Sequence, residues 1–250
     1  MSSAKRSQIS REDSSQQSQV VAIDGPSGSG KSTVARILAE RLGFGYLDTG
    51  AMYRAVTWHL LENQFTQLED QIALGALLAE LCLEFRPEGQ VYLNGENVTN
   101  HLRSREVESR VSAVSAVSVV RSEMRTMQRA LARSGSIVAE GRDMASVVFP
   151  KARWKFFIDA EPEERARRRC KDFAARGRKV SAAEVLEEIA VRDRLDSTRK
   201  DAPLGRASDA IYLDTSGLDV EEVVATMLRI IEEGPGSGER SSPNSEGVRS

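Results

Sequence analysis

Residues Gly25, Pro26, Ser27, Gly28, Ser29, Gly30, Lys31, Ser32 and Thr33 have the types and spacing of a loop that binds a polyphosphate. Glycines at 25, 28 and 30 let backbone N–H groups crowd an anion without Cβ clashes. Lys31 brings a full positive charge to β- and γ-phosphates, and Ser32 offers a hydroxyl to Mg²⁺. The flanks make the pattern more than a glycine-rich turn beside a lysine. Val20–Ile23 is an apolar run that reads as a buried strand. Val34, Ile37, Leu38 and Leu42 recur at i, i+3, i+4 and i+8, so a helix follows and aims its free N–H groups at the phosphates.

A phosphate loop alone does not fix the reaction. A GTPase would carry an Asn-Lys-x-Asp motif, which is missing, and Asp214-Thr215-Ser216-Gly217 comes after the last strand, too late for a switch. A motor ATPase needs a longer chain. Transfer of a phosphoryl group between two bound substrates needs cations along the whole line of phosphates, with water excluded. Arg54, Arg121, Arg142 and Arg199 stand outside the loop at separate places, and the basic stretch Arg165–Lys179, with Arg168 in it, reads as a mobile cover over ATP. Taken alone, that stretch could also be a solvated helix or a nucleic-acid patch; within a phosphate-loop fold of this size the cover is the better reading. Arg192, Asp196 and Arg199 fall at i, i+4 and i+7 on one helical face. Arg192 and Asp196 by themselves make an ordinary intrahelical pair, but the segment runs into Arg199–Leu204 beside the cover, where a substrate phosphate and ribose would be held.

Elements must bring these residues together. The order read from periodicity is β-α-β-α, a small β insert, then α-β-β-α-α-β-α. Strands are expected at Val20–Ile23, Phe44–Leu47, Ser136–Glu140, Trp154–Ile158 and Ala210–Leu213. Thr66–Glu69 reads as a capping box that opens a helix, and Ser181–Glu184 as a second one. The insert alternates at Leu83, Phe85, Val91 and Leu93, with turns at Pro87-Glu88-Gly89 and Asn94-Gly95. Residues 104–133 read as helix, broken somewhere in VSAVSAVSVV. Strands separated by helices imply an α/β fold with a parallel sheet, helices on both faces and ligands at the carboxyl ends of the strands.

Composition sets the outer bounds. The chain has 250 residues and a formal net charge of −2, which gives no overall pull toward nucleic acid or membrane. No apolar run approaches the ~20 residues that span a bilayer. Cys82 and Cys170 lack metal-ligand spacing and fit a reducing compartment, and His59 and His101 are isolated. The N-terminal segment has no apolar signal core, so a cytoplasmic protein is expected. Residues 1–18 and 234–250 are polar enough to be disordered tails around a domain at 19–233.

IDGPSGSGKST, LDTGAMYR, the Asn-Gly hairpin insert, AEGRDMASVVFP, EERARRR and RDRLDSTRKDAPL together resemble the bacterial cytidylate kinases, in order, over residues 20–233. The resemblance implies a P-loop NTPase fold with a five-stranded parallel sheet. It also implies a nucleoside-monophosphate insert at about 63–105 and a short Arg-rich lid at about 165–180. The implied reaction moves the γ-phosphoryl group of ATP to CMP or dCMP with Mg²⁺; separately, a monomer that uses neither nucleic acid nor membrane is expected. Carried over by position, residues 25–33 hold ATP phosphates, and Thr49, Arg54, Arg142 and Arg199 hold the monophosphate. Ser112, Arg121 and Asp143 face the base, Arg192 and Asp196 hold the ribose, and Arg165 and Arg168 act from the lid. Asp143 and Ser112 would accept from the cytosine amine and repel the uracil carbonyl. A kinase for uridylate or a hydroxylated metabolite such as shikimate, and a nucleotide-binding module holding RNA on its basic lid, are the competing readings. The insert and the Asp143/Ser112 pair argue against the first and the near-neutral charge against the second.

Overall fold

The computed structural model describes residues 18–86 and 89–234. The two tails, apart from Ser18 and Gly234, and Pro87 and Glu88 of the expected turn lie outside them.

Strand β1 (Val20–Asp24) carries no charge before its last residue and is buried along almost its whole length. It therefore lies in the middle of a sheet covered on both faces. β2 (Gly45–Asp48), β6 (Ile137–Gly141), β7 (Trp154–Asp159) and β8 (Ile211–Asp214) join it in the order β2-β6-β1-β7-β8. Every pairing is parallel. The chain goes from β1 to β2 and β6 on one side, then crosses to β7 and β8 on the other, so a crevice opens above β1 at the carboxyl edge. The register aligns Asp24 with Gly141, Asp48 with Glu140, and Asp159 with Asp214. Four of the five parallel strands thus end on an aspartate at the edge that faces the ligand.

Alternation along β1 splits the core. Val21 and Ile23 face one layer, where α1 (Lys31–Leu42) and α8 (Val220–Glu233) contribute Leu38, Val224 and Met227. Ala22 faces the other layer, where α2 (Thr49–Glu62), α4 (Arg105–Ala116) and α5 (Ser118–Leu131) contribute Met52, Val111 and Met124. Each large side chain fully buried in these layers stabilises the fold by roughly 1.5–3 kcal/mol. A third, small cluster of Ala166, Phe173, Val185 and Ile189 joins α6 (Pro162–Ala175) to α7 (Ala182–Thr198).

The insert forms as expected: α3 (Gln71–Ala79), then an antiparallel sheet of β3 (Leu83–Arg86), β4 (Gln90–Leu93) and β5 (Glu96–Asn97). Asn94 and Gly95 both take positive φ, as a tight hairpin turn requires. One capping assignment needs correction. Thr66–Glu69 forms turns, and Asp70 is the N-cap of α3, accepting from the Ala73 amide at 3.0 Å. The box pattern counted four residues too early because Asp70 is itself a strong cap. The box at Ser181 and Glu184 forms at the start of α7.

The break in 104–133 falls at Val117, whose ψ of 125° is extended. It ends α4 and releases the last carbonyls of that helix from their intrahelical partners. Arg121, one turn into α5, donates to one of them, Ser115 O, at 3.0 Å.

Gly25 follows β1 at φ 152°, and a Cβ there would stand 2.0 Å from the Ile158 carbonyl oxygen. Neither atom can easily yield, because Ile158 belongs to the paired strand β7 and Gly25 directly follows the paired strand β1. Gly25→Ala is expected to lower stability by more than about 3 kcal/mol, read as a fall in the urea midpoint with an unchanged slope.

Candidate active site

The strand ends and the helices that follow them enclose a cavity of about 570 Å³. Its walls include residues 27–33, Thr49, Arg54, Arg121, Arg142, Asp143, Arg168, Arg192, Asp196 and Arg199, which come together from positions up to 172 residues apart. Gly25, Pro26, Ser112 and Arg165 do not line it. Gly25 and Pro26 shape the loop from beneath. Ser115, one turn after Ser112 on the same face of α4, reaches the wall.

Two assemblies face each other across this space. The first is the phosphate loop. Lys31 is buried, and its ammonium donates to Pro26 O at 2.5 Å and Ser29 Oγ at 3.1 Å. Burial, with Arg142 adding to it, pushes Lys31 down to about 7. Arg165 backs the loop: its guanidinium donates to Ser27 O at 3.0 Å and Ala160 O at 3.0 Å and pairs with Asp193. Asp193 in turn accepts from the Ser27 amide at 3.1 Å. Arg168 does reach the cavity, and it ties Ser29 O at 3.3 Å to Thr215 O at 2.7 Å.

The second assembly alternates in charge. Arg121 Nη2 meets Asp143 Oδ2 at 2.6 Å. Asp143 Oδ1 and Asp196 Oδ1 each lie 3.6 Å from the Arg199 guanidinium, and Arg142 Nε meets Asp196 Oδ2 at 2.9 Å. Burial alone would raise Asp196, but Arg142, Arg192 and Arg199 outweigh it and hold the carboxyl below its usual range. Burial would likewise lower Arg142, yet Asp196 and Glu140 hold it charged.

Cations outnumber their partners here. Arg192 makes no hydrogen bond or ion pair among the described residues; its buried Nε has no partner. Burial, reinforced by Arg142, pushes it down to about 10. The Nε atoms of Arg54 and Arg121 and Nη2 of Arg199 are also buried without a hydrogen-bond partner. Buried polar groups without partners are costly, so this set is built for an anion with several oxygens. The intrahelical Arg192–Asp196 pair that spacing allowed does not form; Asp196 instead meets Arg142, in a bond between α7 and the loop after β6.

Two acids of this edge stood out by no motif. Glu140, buried at the end of β6, accepts from Ser32 Oγ at 2.5 Å, and burial raises its carboxyl. Asp24, at the end of β1, accepts from the amides of Met144 and Ala145, both at 2.8 Å. A charged residue closing an otherwise apolar strand was the signal available for both. The Ser32 hydroxyl and the Glu140 carboxylate are hard oxygen donors beside the phosphate loop and fit Mg²⁺. Among the described residues there is no group of three or more His, Cys, Asp or Glu side chains that could hold a metal ion. No helix among them is long and apolar enough to cross a membrane.

Known proteins share this arrangement of chain. A family model described as cytidylate kinase matches residues 21–233. The cytidylate kinase of Carboxydothermus hydrogenoformans is 50% identical over 214 residues, 84% of this chain and 96% of that protein. That of Geobacillus thermodenitrificans is 46% identical over 216 residues, 85% of this chain and 96% of that one. A bifunctional pantoate ligase/cytidylate kinase of Synechococcus sp. strain CC9902 is 48% identical over 86% of this chain, which matches 45% of that longer protein. A solved, uncharacterized protein from Eubacterium ventriosum shares the fold with a TM-score of 0.50, at 15% identity, over 87% of this chain and 99% of its own.

Burial holds Lys31 down at about 7 when no phosphate is bound, and phosphate oxygens beside it favour the protonated form. Binding a nucleoside triphosphate at pH 8 should therefore take up close to one proton, and at pH 6 almost none. Calorimetric titrations in two buffers of different ionisation heat measure this uptake.

Proposed function

This chain belongs to the cytidylate kinase family, and we propose that its cavity seats ATP and CMP end to end, each held by one of the two facing assemblies. It is an ATP-dependent transferase that phosphorylates CMP. The observation that carries the arrangement is the alternating chain from Arg121 to Arg142, which faces the phosphate loop across one cavity.

Residues 25–33 grip the triphosphate through backbone N–H groups and the start of α1. Lys31 leaves Pro26 O and Ser29 Oγ to reach the β- and γ-phosphates. Arg168 adds charge from the lid, and Arg165 acts from behind by fixing the Ser27 carbonyl. Ser32 and Glu140 would hold the hydrated Mg²⁺ that accompanies ATP, an ion that supplies neutralisation of phosphate charge. Thr49, Arg54, Arg142 and Arg199 meet the acceptor phosphate. Asp196 and the unpaired Arg192 take the ribose, which makes Asp196 the residue that weighs CMP against dCMP.

Asp143 reads the base. Its carboxylate, oriented by Arg121, accepts from the cytosine amine. Uracil offers a carbonyl oxygen there, so two acceptors would meet, at a cost of roughly 1–3 kcal/mol. In the transfer, an oxygen of the CMP phosphate forms a bond to the γ-phosphorus as the bond to the β,γ-bridging oxygen breaks. No enzyme side chain becomes covalently attached, and the acceptor phosphate needs no general base. The chain's contribution is alignment and cancellation of charge. The enzyme so proposed is a monomer that works in the cytoplasm on small-molecule substrates.

The test is release of ADP from Mg·ATP with a panel of CMP, dCMP, UMP and AMP. CMP should be preferred over UMP by about tenfold to a hundredfold. Lys31→Met should lower kcat by about a hundredfold or more in a protein that still folds. Asp143→Ala should raise KM for CMP and erase most of the preference over UMP. Equal losses for both acceptors would remove Asp143 from base reading.

A further inference from the structure

Asp24 is 1% exposed, yet it carries a carboxylate that the transfer itself does not use. Its two oxygens accept one hydrogen bond each, Oδ1 from the Met144 amide and Oδ2 from the Ala145 amide, both at 2.8 Å. These amides directly follow Asp143. The Asp143 carbonyl is held as well, because it accepts from the amides of Val147 at 2.9 Å and Val148 at 3.0 Å in the turn Met144–Val148. The backbone that leaves Asp143 is therefore pinned by four hydrogen bonds.

The anchor itself cannot move. β1 pairs with β6 and β7, and Gly25, the next residue after Asp24, has no room against the Ile158 carbonyl. The phosphate loop starts at that same residue. One rigid strand end thus fixes both the loop that grips the donor and the loop that carries Asp143.

We infer that Asp24 is a positioning residue that holds the Asp143 carboxylate at a set place relative to the phosphate loop, and so tunes selection of the cytosine base. The inference rests on the reading of Asp143 as the base acceptor. Burial, with Asp143 itself adding repulsion, pushes Asp24 up to about 6, and only the two amides and the nearby Lys31 oppose this. An acid kept at such an unfavourable place is expected where two donors converge and a neutral side chain cannot serve both. Asparagine illustrates the point: it has one acceptor oxygen, and its NH₂ would face the second amide donor.

The test compares Asp24→Asn and Asp24→Glu with the parent enzyme and with Asp143→Ala. Asp24→Glu keeps the charge but lengthens the side chain, so it displaces the loop if asparagine prevents folding. In either variant KM for CMP should rise about tenfold or more, and the CMP:UMP ratio of kcat/KM should fall at least about fivefold. KM for ATP should stay within about threefold. A residue that serves only the fold would lower the melting temperature and the active fraction while leaving the CMP:UMP ratio of the surviving enzyme unchanged. A ratio within about twofold of the parent in the folded variants, or equal rises in KM for ATP and CMP, overturns the inference. Loss of the ratio in Asp143→Ala with its retention in both Asp24 variants rejects the role of Asp24 alone. Retention in Asp143→Ala rejects the base reading on which it rests.

Discussion

Arg121, Asp143, Arg199, Asp196 and Arg142 form an unbroken series of alternating charges at the carboxyl edge of the sheet. A buried charge is tolerated when a partner stands beside it, and each member here has one. The series nevertheless begins and ends on a cation, and Lys31, Arg54 and Arg192 stand around it with part of their hydrogen-bonding capacity unused or turned back on the loop. The folded chain therefore carries an electrostatic deficit that only bound anions make good. Two nucleotides placed phosphate to phosphate have the charge and the oxygens to do so.

The scaffold's features follow from that demand. Parallel strands ending in acids put carboxylates where they fix loops and arginines. The interruption at Val117 frees a carbonyl that holds the deeply buried Arg121. Helix α7 faces inward twice: Asp193 secures the phosphate loop through Ser27, and Asp196 secures the acceptor side through Arg142. Glu108 on α4 receives Arg169 and Arg178 from the lid region, so the cover and the acceptor wall meet directly. One helix and one lid contact therefore join the halves that must close together.

Local signals carried most of the architecture. Apolar runs bounded by turns located all five parallel strands to within a residue or two, and Asn94-Gly95 announced the hairpin. Competing caps were harder: Asp70 outweighed the box at Thr66 because a carboxylate next to the helix satisfies its free amides better. The phosphate loop was legible because its residues are contiguous. The arginines were legible as a supply of charge, but not as a network. Helical spacing placed Arg192 and Asp196 on one face, whereas the partner of Asp196, Arg142, comes from another element. Arg165 read as a lid cation and instead buttresses the loop from behind. Glu140 and Asp24 escaped notice because a single acid at a strand end has no motif; its meaning depends on which strands lie alongside.

Unfolding by calorimetry with CMP, with cytidine and with ADP tests the unmet charge most directly. If bound phosphate completes the cavity, CMP at a hundred times its dissociation constant should add about 2.7 kcal/mol. Cytidine at the same concentration, lacking the phosphate, should add almost nothing, and ADP and CMP together should stabilise at least as much as the sum of the two. Equal stabilisation by cytidine and CMP would contradict the account, because the base alone would then be doing what is here ascribed to the arginines.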